Sequence, residues 1–183
     1  TQFNSLQGDA FKTWLLTAVD VPLFLKTYAV SSLCGMWDDY WNNSNNFYFY
    51  FDVGNKFYFI PFDYDNTLGT SLLMTNSGTR DLLNWGKSSN PMVKKILAID
   101  EYKALYVSYL NQLCSADRDL FYYTKSMGRI EKWHSMIRYF IPNDTGEDME
   151  IKDVPAAWGN CPHYRLLAPK NNYFIIRAQH LPN

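Results

Sequence analysis

Apolar residues recur at helical spacing through the first part of the chain. The intervals are three or four positions at Phe11, Trp14, Leu15, Ala18 and Val19. This spacing predicts an amphipathic helix that begins at residues 7–9. After a break at residues 21–22, a second apolar segment runs to Gly35, with Asp20 as its cap and Pro22 in its first turn. A polar loop rich in Asn and Asp follows.

Aromatic residues then occupy nearly every second position on both sides of a short turn. The two runs, Phe47–Asp52 and Lys56–Phe62, flank the turn residues at 53–55. This pattern is typical of an antiparallel β-hairpin. The second run ends on Asp63 and Asp65, where a strand passes into a loop. Loops at strand ends commonly present carboxylates to a metal ion or a substrate.

Helical patterns return after a polar stretch. Residues 70–90 predict a long surface excursion with at most one helical turn, at residues 80–85. Asn90 and Pro91 predict the cap and first turn of the next helix, and Asp100 begins another that ends near Cys114. Residues 117–140 predict one or two more helices, 141–169 a solvated loop, and 173–181 a last short helix. The predicted fold class is α+β, mainly α, with one antiparallel β-hairpin.

The composition of the chain excludes several classes of protein. A chain of 183 residues with 47% hydrophobic content favours a single domain over 1–183. A net charge of -1 excludes the broad basic face of a nucleic-acid-binding protein. The three cysteines are far apart and predict neither a metal or redox pair nor a disulfide framework. No apolar run predicts a transmembrane segment. The absence of an initiator Met and of a basic, apolar leader predicts a segment from within a longer protein.

The acidic loop by itself resembles a phosphatase motif. Residues 63–67, with Asp63, Asp65 and Thr67, are similar to the D-x-D-x-T motif of haloacid dehalogenase-type phosphatases, whose first Asp is a nucleophile. Those enzymes need the preceding strand inside a parallel α/β sheet. The tight turn at 53–55 predicts antiparallel pairing instead, and no later strand alternates with the helices. The surroundings therefore argue against this interpretation.

A second resemblance covers most of the chain, residues 14–158. The stretches that carry it are Gly35-x-Trp37-Asp38-Asp39-Tyr40, Asn46-Phe47-Tyr48-x-Tyr50, Ile60-Pro61-Phe62-Asp63-Tyr64-Asp65 and Glu101-Tyr102-Lys103. In this order they resemble the CotH family, the spore coat protein H kinase-like proteins. The resemblance implies the C-lobe of a protein-kinase-like fold. It also implies an atypical kinase that uses ATP and Mg²⁺ or Mn²⁺ to phosphorylate a hydroxyl of a secreted or surface protein.

The same resemblance assigns roles in the polar loop before the hairpin. Asp38 is the expected base-like catalytic residue, with Asp39 as its alternative. Asn46 is the expected metal-binding residue. Asn43 competes with Asn46, because it lies five residues after Asp38, as the metal-binding Asn of ordinary kinases lies five after the catalytic Asp.

The strand end completes the expected site. By the resemblance, Asp63 corresponds to the metal-holding Asp of the kinase D-F-G motif. Asp65 could bind a second metal ion or fix the loop. Other interpretations of these acids are a structural Ca²⁺ site and simple capping of backbone N–H groups in turns.

The chain departs from a complete kinase in one respect. No Gly-rich phosphate loop and no strand-borne Lys precede Asp38, since only helical patterns lie there. We therefore expect that the nucleotide-covering N-lobe is absent and that this chain alone is inactive. By the resemblance, we expect an extracellular or cell-envelope protein.

A function from another class stays open. The chain could be a non-catalytic surface module that binds glycans on flat aromatic rings beside Asn and Asp side chains. The candidate rings are Trp37, Tyr40, Trp41, Tyr48, Tyr50 and Tyr58. Rings of this kind can equally form the core.

Overall fold

The computed structural model describes residues 2–69, 74, 76–118, 120–137, 139–140 and 172–183. Their elements, in chain order, are α1 (Gln2–Ser5), α2 (Gly8–Ala18), α3 (Val21–Cys34), β1 (Phe47–Phe51), β2 (Phe57–Pro61), α4 (Pro91–Leu97), α5 (Asp100–Cys114), α6 (Tyr123–Ile137) and α7 (Tyr173–Ala178). The predicted α+β class, mainly helical with one antiparallel hairpin, is confirmed. Within the described residues, no helix is long and apolar enough to span a membrane. The loop predicted at 141–169 lies outside them.

The helix α3 forms the centre of the fold. It begins as predicted, because the Asp20 side chain accepts a hydrogen bond of 3.1 Å from the Leu23 N–H, and it ends at Gly35 with φ 69°. The helix packs along α5. Tyr28 on α3 and Tyr106 on α5 are fully buried, with ring centroids 5.1 Å apart. Because α3 is buried along much of its length, the loop after it starts from a fixed point.

The hairpin alternates between a packed face and an exposed face. The register pairs Phe47 with Pro61 at one end and Phe51 with Phe57 at the other. Phe59, on the packed face, contacts Trp41 with a centroid distance of 4.9 Å. The other face turns Tyr48, Tyr50 and Ile60 towards solvent. The packed face therefore anchors the hairpin to the loop that follows α3.

The stretch before α4 was predicted wrongly as a surface excursion. Residues 76–90 form turns without an α-helix, and they bury Leu82 and Trp85. Their backbone carbonyls accept hydrogen bonds from distant tyrosine hydroxyls, from Tyr106 to Leu82 at 2.9 Å and from Tyr28 to Trp85 at 2.7 Å. These partners allow an irregular segment to enter the core, because its buried polar groups are satisfied.

The last helix, α7, closes the core from the other end of the sequence. Asn172 caps it through a bond of 2.9 Å from the Phe174 N–H. The buried Tyr173 hydroxyl donates to the Leu33 carbonyl of α3 at 3.1 Å. The short C-terminal helix expected from the sequence is confirmed, although it ends at Ala178. It contacts the same part of α3 from which the candidate site departs.

Candidate functional site

Asp38 lies at the surface end of the loop after α3 and is held by three asparagines. Its carboxylate accepts hydrogen bonds from the side-chain amides of Asn43 at 2.6 Å, Asn45 at 3.3 Å and Asn46 at 3.2 Å. The side chain is half-buried. These bonds fix the direction of the carboxylate without closing it off from solvent. They also use the amide nitrogens of the asparagines, which leaves amide oxygens for other partners.

Asp39, the alternative catalytic candidate, points the other way. It is 1% exposed, and its Oδ1 accepts bonds from the Asn42 backbone N–H at 2.8 Å and the Asn42 amide at 3.0 Å. Burial raises the pKa of Asp39 to about 6, against the lowering effect of these bonds and of the Trp85 indole. The indole is close enough to act on the pKa, but its geometry completes no hydrogen bond with Oδ2. Asp39 holds the turn and is shielded from a substrate.

Asn46 joins the two halves of the site. Its φ of 53° is in the left-handed region, which Asn tolerates better than most residues. The side chain donates to the Asp38 carbonyl at 2.9 Å as well as to its carboxylate. The Asn46 carbonyl accepts from the Phe62 N–H at 3.1 Å. Asp63 follows Phe62 directly, so Asp38, Asn46 and Asp63 lie at the same end of the hairpin.

Asp63 carries the exposed carboxylate of this group. Its φ of 61° is also left-handed, where a side chain other than glycine's costs of order 1 kcal/mol or more. The side chain is exposed and makes no hydrogen bond or ion pair with the described residues. A strained backbone that projects a carboxylate with no partner in the described part of the chain is suited to binding a ligand.

Asp65 lies in a turn that is anchored to α3. Its carboxylate accepts from the Asn66 backbone N–H at 2.8 Å and the Asn66 amide at 2.9 Å. Between the two acids, the Tyr64 hydroxyl lies 2.9 Å from the Ser31 hydroxyl. Burial raises the pKa of Tyr64 to about 12, so it stays a neutral anchor. These contacts fix the loop that carries both acids, and they give Asp65 a clear role in the turn.

Asp63 and two asparagines supply the oxygen atoms at this end of the hairpin that could hold a metal ion. Among the described residues, no three His, Cys, Asp or Glu side chains are grouped to hold a metal by themselves. Mg²⁺ in nucleotide sites is bound by one or two carboxylates together with phosphate oxygens. Asp63 and the amide oxygens of Asn43 and Asn46 are donors of this hard type. The residues therefore fit Mg²⁺ when a phosphate supplies further ligands.

Comparison with known families agrees with this geometry. The sequence model of the family described as CotH kinase protein matches residues 1–164. The chain belongs to the CotH kinase family. The matched stretch contains both the Asp38–Asn46 loop and the acidic loop of this CotH chain, and it ends before α7. No curated protein and no solved structure matches the chain.

Two contributors to the site were missed in the sequence. Asn45 donates to Asp38 beside the predicted asparagines, and its signal was present in the run of asparagines at 42–46. Arg80 donates to the Asn42 amide oxygen at 3.0 Å across a separation of 38 residues. No local pattern indicates that second contact, because it depends on the burial of Leu82 and Trp85 described above.

Proposed function

We propose that this chain supplies the metal- and substrate-orienting half of a phosphotransfer site. The reaction is transfer of the ATP γ-phosphate to a hydroxyl of a secreted or surface protein. The observation that supports it most is the double contact of Asn46, whose side chain binds Asp38 while its carbonyl binds the residue before Asp63. Kinases need a hydroxyl-orienting carboxylate beside metal-holding Asn and Asp residues.

Each residue has a stated part in this reaction. Asp38 orients the hydroxyl and accepts its proton as the hydroxyl oxygen bonds to the γ-phosphorus and the bond to the β-phosphate oxygen breaks, which releases ADP. Asp63, with Asn46 or Asn43, would hold Mg²⁺, and Asp65 would support a second ion or the loop. Bound Mg²⁺ would neutralise charge on the phosphates.

The proposal includes a missing partner lobe. The segment before Asp38 is helical and contains no Gly-rich loop or strand-borne Lys. We propose that a separate nucleotide-covering lobe completes the site, and that the protein is extracellular or in the cell envelope. Without that lobe this chain should bind Mg·ATP weakly or not at all.

The test is Mg·ATP binding and autophosphorylation by the full-length protein, measured by calorimetry and by phosphate transfer. Asp38→Asn should abolish transfer and retain nucleotide binding, whereas Asp63→Asn should weaken Mg·ATP binding. Asp9→Asn is the matched control, since Asp9 is an exposed carboxylate in the first turn of α2. Unchanged transfer in both site variants would reject the assignment of Asp38 and Asp63.

A second candidate function is supported by the exposed face of the hairpin. The Tyr48 ring, 63% exposed, stacks on Phe62 at 5.1 Å, and Tyr50 lies 5.9 Å from Tyr58. We propose glycan binding on these rings as the alternative, non-catalytic function. The alternative function is favoured if the protein binds glycans without nucleotide and Tyr48→Ala abolishes this binding. Tyr122→Ala is the control and should keep the binding, because Tyr122 is also exposed but lies just before α6.

A further inference from the structure

Asn42 is the buried support of the loop that carries Asp38. Its amide nitrogen donates to the Asp39 carboxylate at 3.0 Å and to the Met36 carbonyl at 3.3 Å. Its amide oxygen accepts from the Arg80 guanidinium at 3.0 Å. The side chain thus uses both of its polar atoms, and it is 6% exposed. Whatever fixes Asn42 also fixes the turn next to Asp38.

Arg80 connects this turn to the buried segment before α4. One guanidinium nitrogen donates to Asn42, and the other donates to the Gly86 carbonyl at 2.8 Å. The guanidinium also lies 5.2 Å from the centre of the Trp85 ring. Two acceptors on different segments suit the wide planar fork of an arginine better than the compact ammonium of a lysine.

Arg177 of α7 supports the backbone of Arg80. It is fully buried, and its guanidinium donates to the Ser32 carbonyl of α3 at 2.7 Å and to the Arg80 carbonyl. It also lies 5.1 Å from the centre of the Trp85 ring. Arg177 is outside residues 1–164, which match the family. A helix beyond the matched stretch therefore contacts the backbone of the residue that clamps the loop.

We propose that Arg80, supported by Arg177, is a positioning residue that holds the Asp38–Asn46 loop in its binding geometry. Its influence on Asp38 passes through Asn42, because the Arg80 guanidinium donates to the Asn42 amide oxygen, and the Asn42 amide holds the turn that contains Asp39. The consequence for catalysis rests on the proposed phosphotransfer function. The placement of the loop does not, since it can be measured without nucleotide.

The experiment records the side-chain amide resonances of Asn42, Asn43 and Asn46 by NMR in the 183-residue chain. Arg80→Met should displace these resonances, and Arg80→Lys should displace them as well, although lysine keeps the charge and the aliphatic stem. Arg118→Met is the control and should leave them in place, because Arg118 is exposed after α5. If Arg80→Met does not fold, Arg80→Lys alone decides the result.

A functional measurement separates this proposal from the preceding one. In the full-length protein, Arg80→Lys should weaken Mg·ATP binding by about 10- to 100-fold, as loss of an outer-shell support does, and Arg118→Lys should not. Unshifted asparagine resonances in a folded Arg80→Lys would overturn the positioning role. If the unaltered full-length protein binds no Mg·ATP, the phosphotransfer function fails, and the resonance shifts still decide the role of Arg80.

Discussion

Gly86 marks the place where the buried segment before α4 touches the site loop. Its φ is 100°, and a Cβ atom added there would lie 2.9 Å from the Trp41 Cβ and 3.1 Å from the Trp41 carbonyl oxygen. The Lys87 N–H donates to that same carbonyl at 2.8 Å. The close approach of two backbones therefore requires glycine at this position.

Substitution of this glycine tests the contact directly. Gly86→Ala should lower the free energy of unfolding by about 1–3 kcal/mol, because the new methyl group meets both a steric barrier and an unfavourable φ. Gly128→Ala on α6 is the matched control, since nothing lies within 4 Å of its added Cβ. That control should stabilise the chain by up to about 1 kcal/mol. Equal unfolding midpoints for both variants in urea would contradict the prediction.

Asp39 gives the stability of the chain a dependence on pH. Its folded pKa of about 6 lies above the ordinary carboxyl value, so the folded state binds the proton more tightly. The charged form opposes folding above pH 6, and this cost of up to about 3 kcal/mol disappears as the pH falls towards the unfolded pKa. The contribution of Asp39 to stability should therefore rise with acidification across that window.

The prediction is measured as a difference between proteins. The free energy of unfolding of Asp39→Asn minus that of the unaltered chain should increase as the pH is raised through 6. A difference for Asp39→Asn that stays constant with pH would show that the buried carboxyl does not titrate in this window.

At the scale of elements, the aromatic hairpin depends on one packed ring. Phe59 is 9% exposed, and its ring centroid lies 4.9 Å from Trp41 and 5.8 Å from Tyr40. Phe59→Ala should cost about 3–5 kcal/mol. Phe51→Ala should cost about 1 kcal/mol or less, because that ring is 56% exposed and contacts mainly its strand partner. Thermal unfolding of the two variants gives the comparison, and similar losses would mean that the packed face is not what anchors the hairpin.

Elements with local signals could be predicted from the sequence, and those with distant partners could not. The capping side chains of Asp20 and Asn90 were found, because a cap and a first-turn proline lie within a few residues of each other. The alternating rings also predicted the two strands of the hairpin and the turn between them. The burial of Leu82 and Trp85 was missed, since it depends on hydroxyl groups of helices 24 and 57 residues away.

The site shows the same division. The motifs around Asp38 and Asp63 pointed to two loops that the structure brings to the same end of the hairpin, and the family match confirms the resemblance that those motifs carried. The opposite directions of Asp38 and Asp39 could not be predicted, because neighbouring residues in a turn differ only through what packs behind them. The role of Asn42 as a buried link to Arg80 likewise depends on the folded core.

At the scale of the whole molecule, the last helix lies outside the matched family region but inside the core. Tyr173 is fully buried, Phe174 is 5% exposed, and the Phe174 and Phe121 rings lie 4.6 Å apart. Tyr173 and Arg177 both bind backbone carbonyls of α3. The helix therefore closes the fold from which the Asp38–Asn46 loop departs.

Removal of this helix tests that dependence. A chain that ends at residue 171 should lose cooperative unfolding. Loss of one buried aromatic ring costs about 3–5 kcal/mol, and α7 contains two such rings. Their combined cost is comparable to the total free energy of unfolding of an ordinary domain. Deletion of 182–183 is the control, since it keeps every residue of α7 and should leave the unfolding midpoint unchanged. A peptide of residues 172–183 added to the shortened chain should restore part of the transition and move the Asn42 amide resonances back, because it returns Arg177 to the Arg80 carbonyl. If the shortened chain unfolds at the same urea concentration as the intact one, α7 contributes little to the stability of the core. The proposal that Arg177 supports Arg80 is then rejected.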